Sequence, residues 1–186
     1  MTQKITQALM GCLDIPLFLK TGMGRFENSW GAAKLSFAVP VVLLPLVATV
    51  APFNPQYQGQ TYLMVLLQFV LLYLLTTALY LPLMYIITKS LGKVEAFPRF
   101  VGMQNWVGIS GFVIILPILL GMSTGRWEWE EAYPLFVTMT LYSYAYVAFA
   151  ITYTFSINWM LATSLSILGM ACDDIARMVI DAVFQS

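Results

Sequence analysis

The chain has 186 residues, nine basic and nine acidic side chains, no histidine and a formal net charge of zero. Hydrophobic residues make up 60% of it and charged residues 10%, proportions far from those of a soluble domain and typical of a protein embedded in a bilayer. A neutral chain has no positive excess to attract a nucleic-acid backbone, so nucleic acid is excluded as a partner. The composition favours membrane lipids instead.

The N-terminal segment, residues 1–33, precedes the first long apolar run and shows apolar residues near helical spacing. These residues are Ile5, Leu9, Cys12, Pro16 and Leu19. The pattern predicts an interfacial amphipathic helix that lies on the inner leaflet and wedges into it. The alternative is a short helix that packs under the bundle, which is the commoner role of such a segment. No signal peptide is recognisable in it, so we expect insertion through the chain's own helices.

Five apolar segments follow, each long enough for the roughly 20 helical residues that a hydrocarbon core of about 30 Å requires. They cover residues 35–53, 62–87, 106–122, 133–155 and 159–184. Pro40, Pro45 and Pro52 predict a bent first helix, and the short uncharged turn before the last segment predicts a tight helical hairpin. The sequence therefore predicts an all-α polytopic membrane bundle of five transmembrane helices over residues 34–186.

Basic residues indicate the orientation of this bundle, because loops rich in Lys and Arg are retained in the cytoplasm. Four precede the first span and three lie between the second and third spans: Lys4, Lys20, Arg25 and Lys34, then Lys89, Lys93 and Arg99. The opposite loops contain only Arg126. We expect a cytoplasmic N-terminus and a C-terminus on the opposite side, as in a protein of the bacterial inner membrane.

A charged group interrupts the last apolar segment and is the first candidate site. It consists of Asp173, Asp174, Arg177 and Asp181. The spacing of three and four residues allows all three carboxylates to reach the guanidinium on adjacent helical turns. A proton or cation relay is one interpretation of the group. The other, favoured because the group lies near the outer interface, is a structural patch that neutralises itself.

A second candidate site stands at the predicted cytoplasmic entrance of the third span, where Arg99, Gln104, Asn105 and Trp106 follow one another. Trp106 fits the aromatic belt of a membrane interface. The two amides could bind a lipid head group, but an amide at a helix entrance more often caps the helix. Capping and anchoring are therefore the favoured roles.

Aromatic residues form a stripe on the fourth span, at Tyr142, Tyr146, Phe149 and Tyr153. Their spacing of four, three and four places them on one helical face. The stripe could line a polar path, although such stripes more often pack against a neighbouring helix.

Catalytic chemistry finds no support in the sequence. Without histidine there is no His-based triad and no imidazole ligand for zinc or haem. Cys12 and Cys172 are too far apart for a CxxC site, and the external carboxylates lack the surroundings of a calcium or zinc loop. We expect no enzyme activity, no cofactor and no metal.

The order of parts resembles the bacterial members of the Yip1-like membrane proteins. The residues that carry the resemblance are Phe97-Pro98-Arg99-Phe100, Gln104-Asn105-Trp106, the small, proline-bearing first span around 36–45, and an aromatic fourth helix before a fifth with buried Asp. The resemblance implies an integral membrane protein without known catalytic residues. Its eukaryotic relatives have roles in vesicle traffic, in binding Rab-type GTPases and in membrane shaping.

Three functional hypotheses follow. The first is a non-enzymatic scaffold that organises the membrane, alone or as a homo-oligomer. The second is a small transporter or channel subunit that uses Asp173, Asp174 and Arg177. The third is an accessory subunit of a larger membrane complex.

Overall fold

The computed structural model describes residues 2–49 and 53–184, and every regular element within them is helical. The α-helices are α1 (Thr2–Asp14), α2 (Thr21–Gly24), α3 (Trp30–Ser36), α4 (Ala38–Ala48), α5 (Tyr62–Ser90), α6 (Phe97–Ser123), α7 (Trp129–Phe155) and α8 (Trp159–Phe184). Short 3-10 helices cover Pro55–Tyr57 and Val94–Ala96. The all-α prediction is confirmed for these residues.

Four helical stretches are long and apolar enough to cross a membrane by length and composition. They are Trp30–Ala48, Tyr62–Ser90, Val94–Ser123 and Trp129–Phe155. Helix α8 is as long, with 26 residues, but its C-terminal half contains the four charged residues of the first candidate site. Four apolar spans are thus found, and the fifth span stays a prediction.

The first span is interrupted, as its prolines predict. It begins at Trp30, inside the predicted N-terminal segment, where Ser29 accepts a hydrogen bond from the Ala32 amide at 3.2 Å. Helix α3 ends at Ser36 and α4 begins at Ala38, because Pro40 has no N–H to donate to the carbonyl four residues earlier. Pro52 lies outside the described residues.

Helix α6 begins well before the predicted third span. A 3-10 turn leads into it, and Pro98 occupies its first turn, a position where the missing amide hydrogen costs nothing. The sequence predicted the start of the span at residue 106, because Arg99, Gln104 and Asn105 lower the hydrophobicity of the residues before it. Gln104 and Asn105 therefore lie within the helix and do not cap its entrance.

The long helices alternate in direction. At one end of the bundle, which we call the Phe97 end, the rings of Trp30 and Tyr85 lie 6.0 and 5.3 Å from that of Phe97. At the other, the Trp129 end, Phe53 and Trp129 pack against the last turns of α6. Helix α8 packs against α5 and α7. It begins with Trp159 at the Phe97 end and runs parallel to α6, towards the Trp129 end. The predicted hairpin of α7 and α8 is found, with a turn of three residues.

The N-terminal segment does not lie across the end of the bundle. Ser110 donates a hydrogen bond to the Cys12 carbonyl at 2.5 Å, and Tyr142 donates one to the Pro16 carbonyl. Ser110 is the middle residue of α6 and Tyr142 the middle residue of α7. Residues 2–26, which we call the N-terminal hairpin, therefore run from the Phe97 end to the level of the bundle's middle and back.

The buried face of α1 and of the residues just after it agrees with the predicted stripe only in part. Cys12 and Pro16 of the stripe are buried, together with Ala8 and Ile15, whereas Ile5 and Leu9 are 43% and 42% exposed. Gly11 explains the difference, because a Cβ at this position would lie 2.7 Å from the Phe26 ring. The close approach of the two arms of the hairpin selects the face that contains this glycine.

Candidate functional site

In the charged group of α8, the guanidinium of Arg177 pairs with Asp173. Arg177 Nε lies 2.8 Å from Asp173 Oδ2, and Thr76 of α5 donates a hydrogen bond to Asp173 Oδ1 at 3.2 Å. Asp181 accepts a hydrogen bond from Gln56 at 3.4 Å. Asp174 is exposed on the outer surface of α8, so the structure does not bring all four residues to one point.

A small cavity of about 110 Å³ adjoins this group at the Trp129 end. Its lining includes Gln56, Tyr57, Gln68, Arg177 and Asp181. The lining is polar and ties the connection after α4 to α8. Among the described residues, no group of three or more His, Cys, Asp or Glu side chains has the arrangement to hold a metal ion.

Asn105, from the second candidate site, is the centre of a buried polar network. Its Nδ2 donates to Ser36 Oγ at 2.8 Å, and its Oδ1 accepts from the Tyr73 hydroxyl at 3.0 Å. The amide thus joins α3, α5 and α6 at the point where the first span is interrupted. In a bilayer each such interhelical hydrogen bond contributes about 0.6 kcal/mol on average.

Other residues of the second candidate site have separate environments. The entrance of α6 is held by Asn28, which donates to the Glu95 carbonyl at 3.0 Å and accepts from the Arg99 amide at 3.2 Å. Arg99 Nε and Gln104 Oε1 are buried and have no hydrogen-bond partner among the described residues. The carbonyl of Trp106 accepts a hydrogen bond from Cys12 Sγ at 3.1 Å.

The aromatic stripe of α7 is the docking surface of the N-terminal hairpin. The ring of Phe18 lies edge-on to Tyr142 and Phe149, with centroids 5.9 and 5.3 Å apart. The ammonium group of Lys20 lies 5.0 Å from the centre of the Tyr153 ring. The stripe therefore packs against a neighbouring segment.

A cavity beside the N-terminal hairpin was not predicted by the sequence analysis. This lateral groove, about 860 Å³ in volume, runs between the hairpin and α3–α4, and α6 forms its floor. Gly102, Trp106 and Ile109 lie on the floor, one helical turn apart. Ligand cavities in proteins have volumes of about 300–1,000 Å³, so the groove has the size of a binding site.

Polar and charged residues line the groove at the Phe97 end: Lys4, Gln7, Arg25, Glu27 and Ser29. Lys4 Nζ lies 2.7 Å from Glu27 Oε2. Hydrogen bonds from Lys4 and then Ser29 hold the pKa of Glu27 below its usual value, so this carboxylate is ionised at neutral pH. Leu35, Val39, Val42 and Leu43 make the rest of the wall apolar.

Glycine was the signal in the sequence that could have indicated this groove. Gly102 is buried, yet a Cβ built on it would meet no atom within 4 Å, because the space above it is open. Gly24 and Gly31 also line the groove. The glycines alone did not predict it, since their common side appears only after the hairpin has folded onto α6.

Comparisons with models of known protein families, with curated proteins and with solved structures found no match for this chain.

Proposed function

We propose that this chain is a non-enzymatic integral membrane protein of Yip1-like type that crosses the bilayer five times and organises or bends it. The observation that carries the proposal is the position of the N-terminal hairpin. Its deepest contacts, with Ser110 and Tyr142, lie at the middle of α6 and α7. The half of the bundle at the Phe97 end therefore contains the N-terminal hairpin in addition to the long helices.

A wedge follows from this asymmetry. A helix with its side chains is about 10–12 Å in diameter, so α1 and the returning arm, which contains the single helical turn α2, increase the protein's cross-section in the leaflet at the Phe97 end. Lipids pack around a wedge with least strain when the bilayer curves. By the positive-inside rule the wider leaflet is the cytoplasmic one, and the bacterial inner membrane remains the proposed location.

The outer surface of the bundle supports membrane embedding. In the most apolar windows of the four spans, only 11–33% of residues are buried inside the protein, and Leu63, Ile86 and Leu141 are 73%, 62% and 63% exposed. Apolar surface on this scale needs hydrocarbon around it. Helix α8 runs the length of α5 and α7, which supports a fifth crossing.

Vesicle shape tests the proposal. Purified protein is reconstituted into liposomes at rising protein-to-lipid ratios, and the vesicle radius is measured by electron cryomicroscopy. We expect smaller vesicles or tubules with the unmodified protein. If vesicles keep the radius of protein-free controls at every ratio, the membrane-bending role is wrong.

A matched pair of variants in α2 links the effect to the hairpin. A Cβ on Gly22 would lie 2.9 Å from Asp14 Cβ and 3.2 Å from the Ile15 amide nitrogen, whereas one on Gly24 meets nothing within 4 Å. We expect Gly22→Ala to separate the two arms and weaken the bending, and Gly24→Ala to leave it unchanged. Equal bending by both variants would contradict the role of the hairpin.

The number of crossings has its own test. Reporters of compartment are fused before residue 1 and after residue 186 in separate proteins. Five crossings place the reporters on opposite sides of the membrane, with the N-terminal one in the cytoplasm. Reporters on the same side would show that α8 does not cross.

A transporter or channel subunit is the second candidate, and the polar cavity beside Arg177 and Asp181 is the observation that favours it. An accessory role in a larger complex, or a homo-oligomer, is the third. It is favoured by Asp174, a charged residue among the exposed apolar residues Ile175 and Met178. A carboxylate facing hydrocarbon is costly, and a protein partner would cover it.

A further inference from the structure

We propose that the lateral groove binds one phospholipid of the surrounding leaflet, with its phosphate at Lys4 and Arg25 and an acyl chain along α4. This inference rests on the proposed membrane embedding and adds a specific lipid site to it. Polar and apolar walls are segregated along the groove, as the two halves of a lipid molecule are.

The apolar part of the groove is open to the hydrocarbon. Ile5, Leu35 and Val42 line it and are 43%, 67% and 65% exposed, so its mouth is bordered by the apolar surface that faces the bilayer. Protein interiors are close-packed, and an apolar space of this size that opens sideways in a membrane is filled by an acyl chain. The open space above Gly102 gives the chain direct contact with the backbone of α6.

Hydrogen-bond donors favour a phosphate at the polar end. The charged residues of the lining are Lys4, Arg25 and Glu27; Lys4 pairs with Glu27, and Arg25 pairs with Asp14 just outside the lining. Arg25 donates from Nε to Asp14 at 2.6 Å and from Nη1 to Gln7 at 3.1 Å. A guanidinium has five N–H donors and an ammonium group three, more than the bonds to Asp14, Gln7 and Glu27 use. These donors suit the oxygens of a phosphate.

Depth is consistent with this orientation of the lipid. Lys4 and Glu27 lie at the Phe97 end, close to Asn28, which bonds to the entrance of α6. Ile109 of α6 and Leu43 of α4 lie nearer the middle of the bundle. A leaflet phospholipid has the same order, with a head group at the interface and chains towards the bilayer's middle.

Lipid retention tests the site. The full chain is reconstituted in vesicles of phosphatidylglycerol and phosphatidylcholine, extracted in a mild detergent and weighed by native mass spectrometry. We expect one phospholipid per chain to survive extraction, with either head group, because the two ion pairs leave the polar end of the groove without excess charge. A chain that retains no phospholipid would overturn the proposal.

Two substitutions address the two ends of the lipid. Gly102→Leu fills the floor without meeting other atoms at its Cβ and should weaken retention about tenfold, whereas Val113→Leu, at a 50% exposed position of the same helix outside the groove, should not. Lys4→Gln should lower phospholipid retention, because it removes an ammonium donor to the phosphate, and Lys34→Gln, on an exposed position of α3, should preserve it. Unchanged retention in Gly102→Leu would show that the groove is not the site.

The outcomes separate this inference from the proposed function. Loss of lipid in Gly102→Leu with vesicle bending intact supports the groove and separates it from the wedge. Bending without any retained lipid in the unmodified protein overturns the groove alone. If the unmodified protein retains a lipid that Gly102→Leu displaces but does not bend vesicles, the membrane-bending role alone is overturned.

Discussion

The Phe97 end and the Trp129 end of the bundle are built differently. One continuous apolar core occupies the Phe97 end and includes residues of the N-terminal hairpin and of α5 to α8, with Phe100, Met103 and Ile151 fully buried. At the Trp129 end the buried residues divide into two small groups, one around Tyr57 and Val65 and one around Ile118. The end that contains the N-terminal hairpin is thus also the more continuously packed end.

Polar contacts follow the same division. The buried network of Asn105 lies in the half nearer the Phe97 end, whereas at the Trp129 end Gln68 bonds to Gln60 in the connection after α4, at 2.6 Å. Charged pairs at both ends are partly exposed. The comparison therefore predicts that the two ends contribute unequally to stability, and matched substitutions can test it.

Removing a buried isoleucine should have the largest effect and should differ between the ends. Ile151 is 0% and Ile118 5% exposed, and truncation of either leaves a cavity. Because the unfolded helices remain in lipid, the loss is mainly one of packing, about 2 kcal/mol for Ile151→Ala and about 1 kcal/mol for Ile118→Ala. Unfolding of each variant in a mixed-micelle titration measures it. Equal losses would mean that the two ends are equally well packed.

The amide network should give the next largest effect. Asn105→Leu removes two hydrogen bonds and leaves Tyr73 without its acceptor, a loss of about 1–2 kcal/mol. Gln68→Leu removes one bond to a connecting segment and should cost about half as much. The same titration compares them. A larger loss for Gln68→Leu would reverse the ranking of the ends.

The ion pair of α8 should contribute less to stability and is the test of the transporter hypothesis. Side chains of Arg177 and Asp173 are 49% and 27% exposed, so Asp173→Asn should cost about 0.5 kcal/mol. A change in ion flux across proteoliposomes, with an equal yield of folded protein, would support transport. If ion flux is unchanged in both Asp173→Asn and Asp174→Asn, the transporter hypothesis is wrong.

The smallest expected effect is a dependence on pH at the Phe97 end. The pKa of Glu27 is lowered by Lys4 and Ser29, so its contribution to stability is present above the pKa of the unfolded state. It is lost as the pH falls through the lower pKa of the folded state. Unfolding midpoints of the unmodified protein and of Glu27→Gln, measured between pH 7 and pH 3, should converge in acid. A constant difference would contradict this assignment.

The helix bounds could be predicted where local signals mark them. Helix α8 begins where the sequence predicted, because Ser156 adopts φ 51° in the turn and Asn158 caps the helix by accepting from the Leu161 amide at 2.8 Å. The start of α6 was missed, since apolarity locates the hydrocarbon core and Pro98 marks the helix itself. The ends of a helix and the ends of its membrane-spanning part differ, and hydropathy locates only the membrane-spanning part.

Residue composition, apolar runs and basic loops alone determined that the chain is an all-α protein with spans apolar enough for a membrane, because these depend on the local preference of each segment for lipid or water. Tertiary structure decided the rest. The hairpin packs against the bundle because Gly11 and Gly22 let its two arms approach each other, and because Pro16 and Phe18 contact the aromatic stripe of α7. The groove exists because the hairpin does not pack directly against α4. The distance between these two segments depends on the tertiary structure, and no local sequence pattern encodes it.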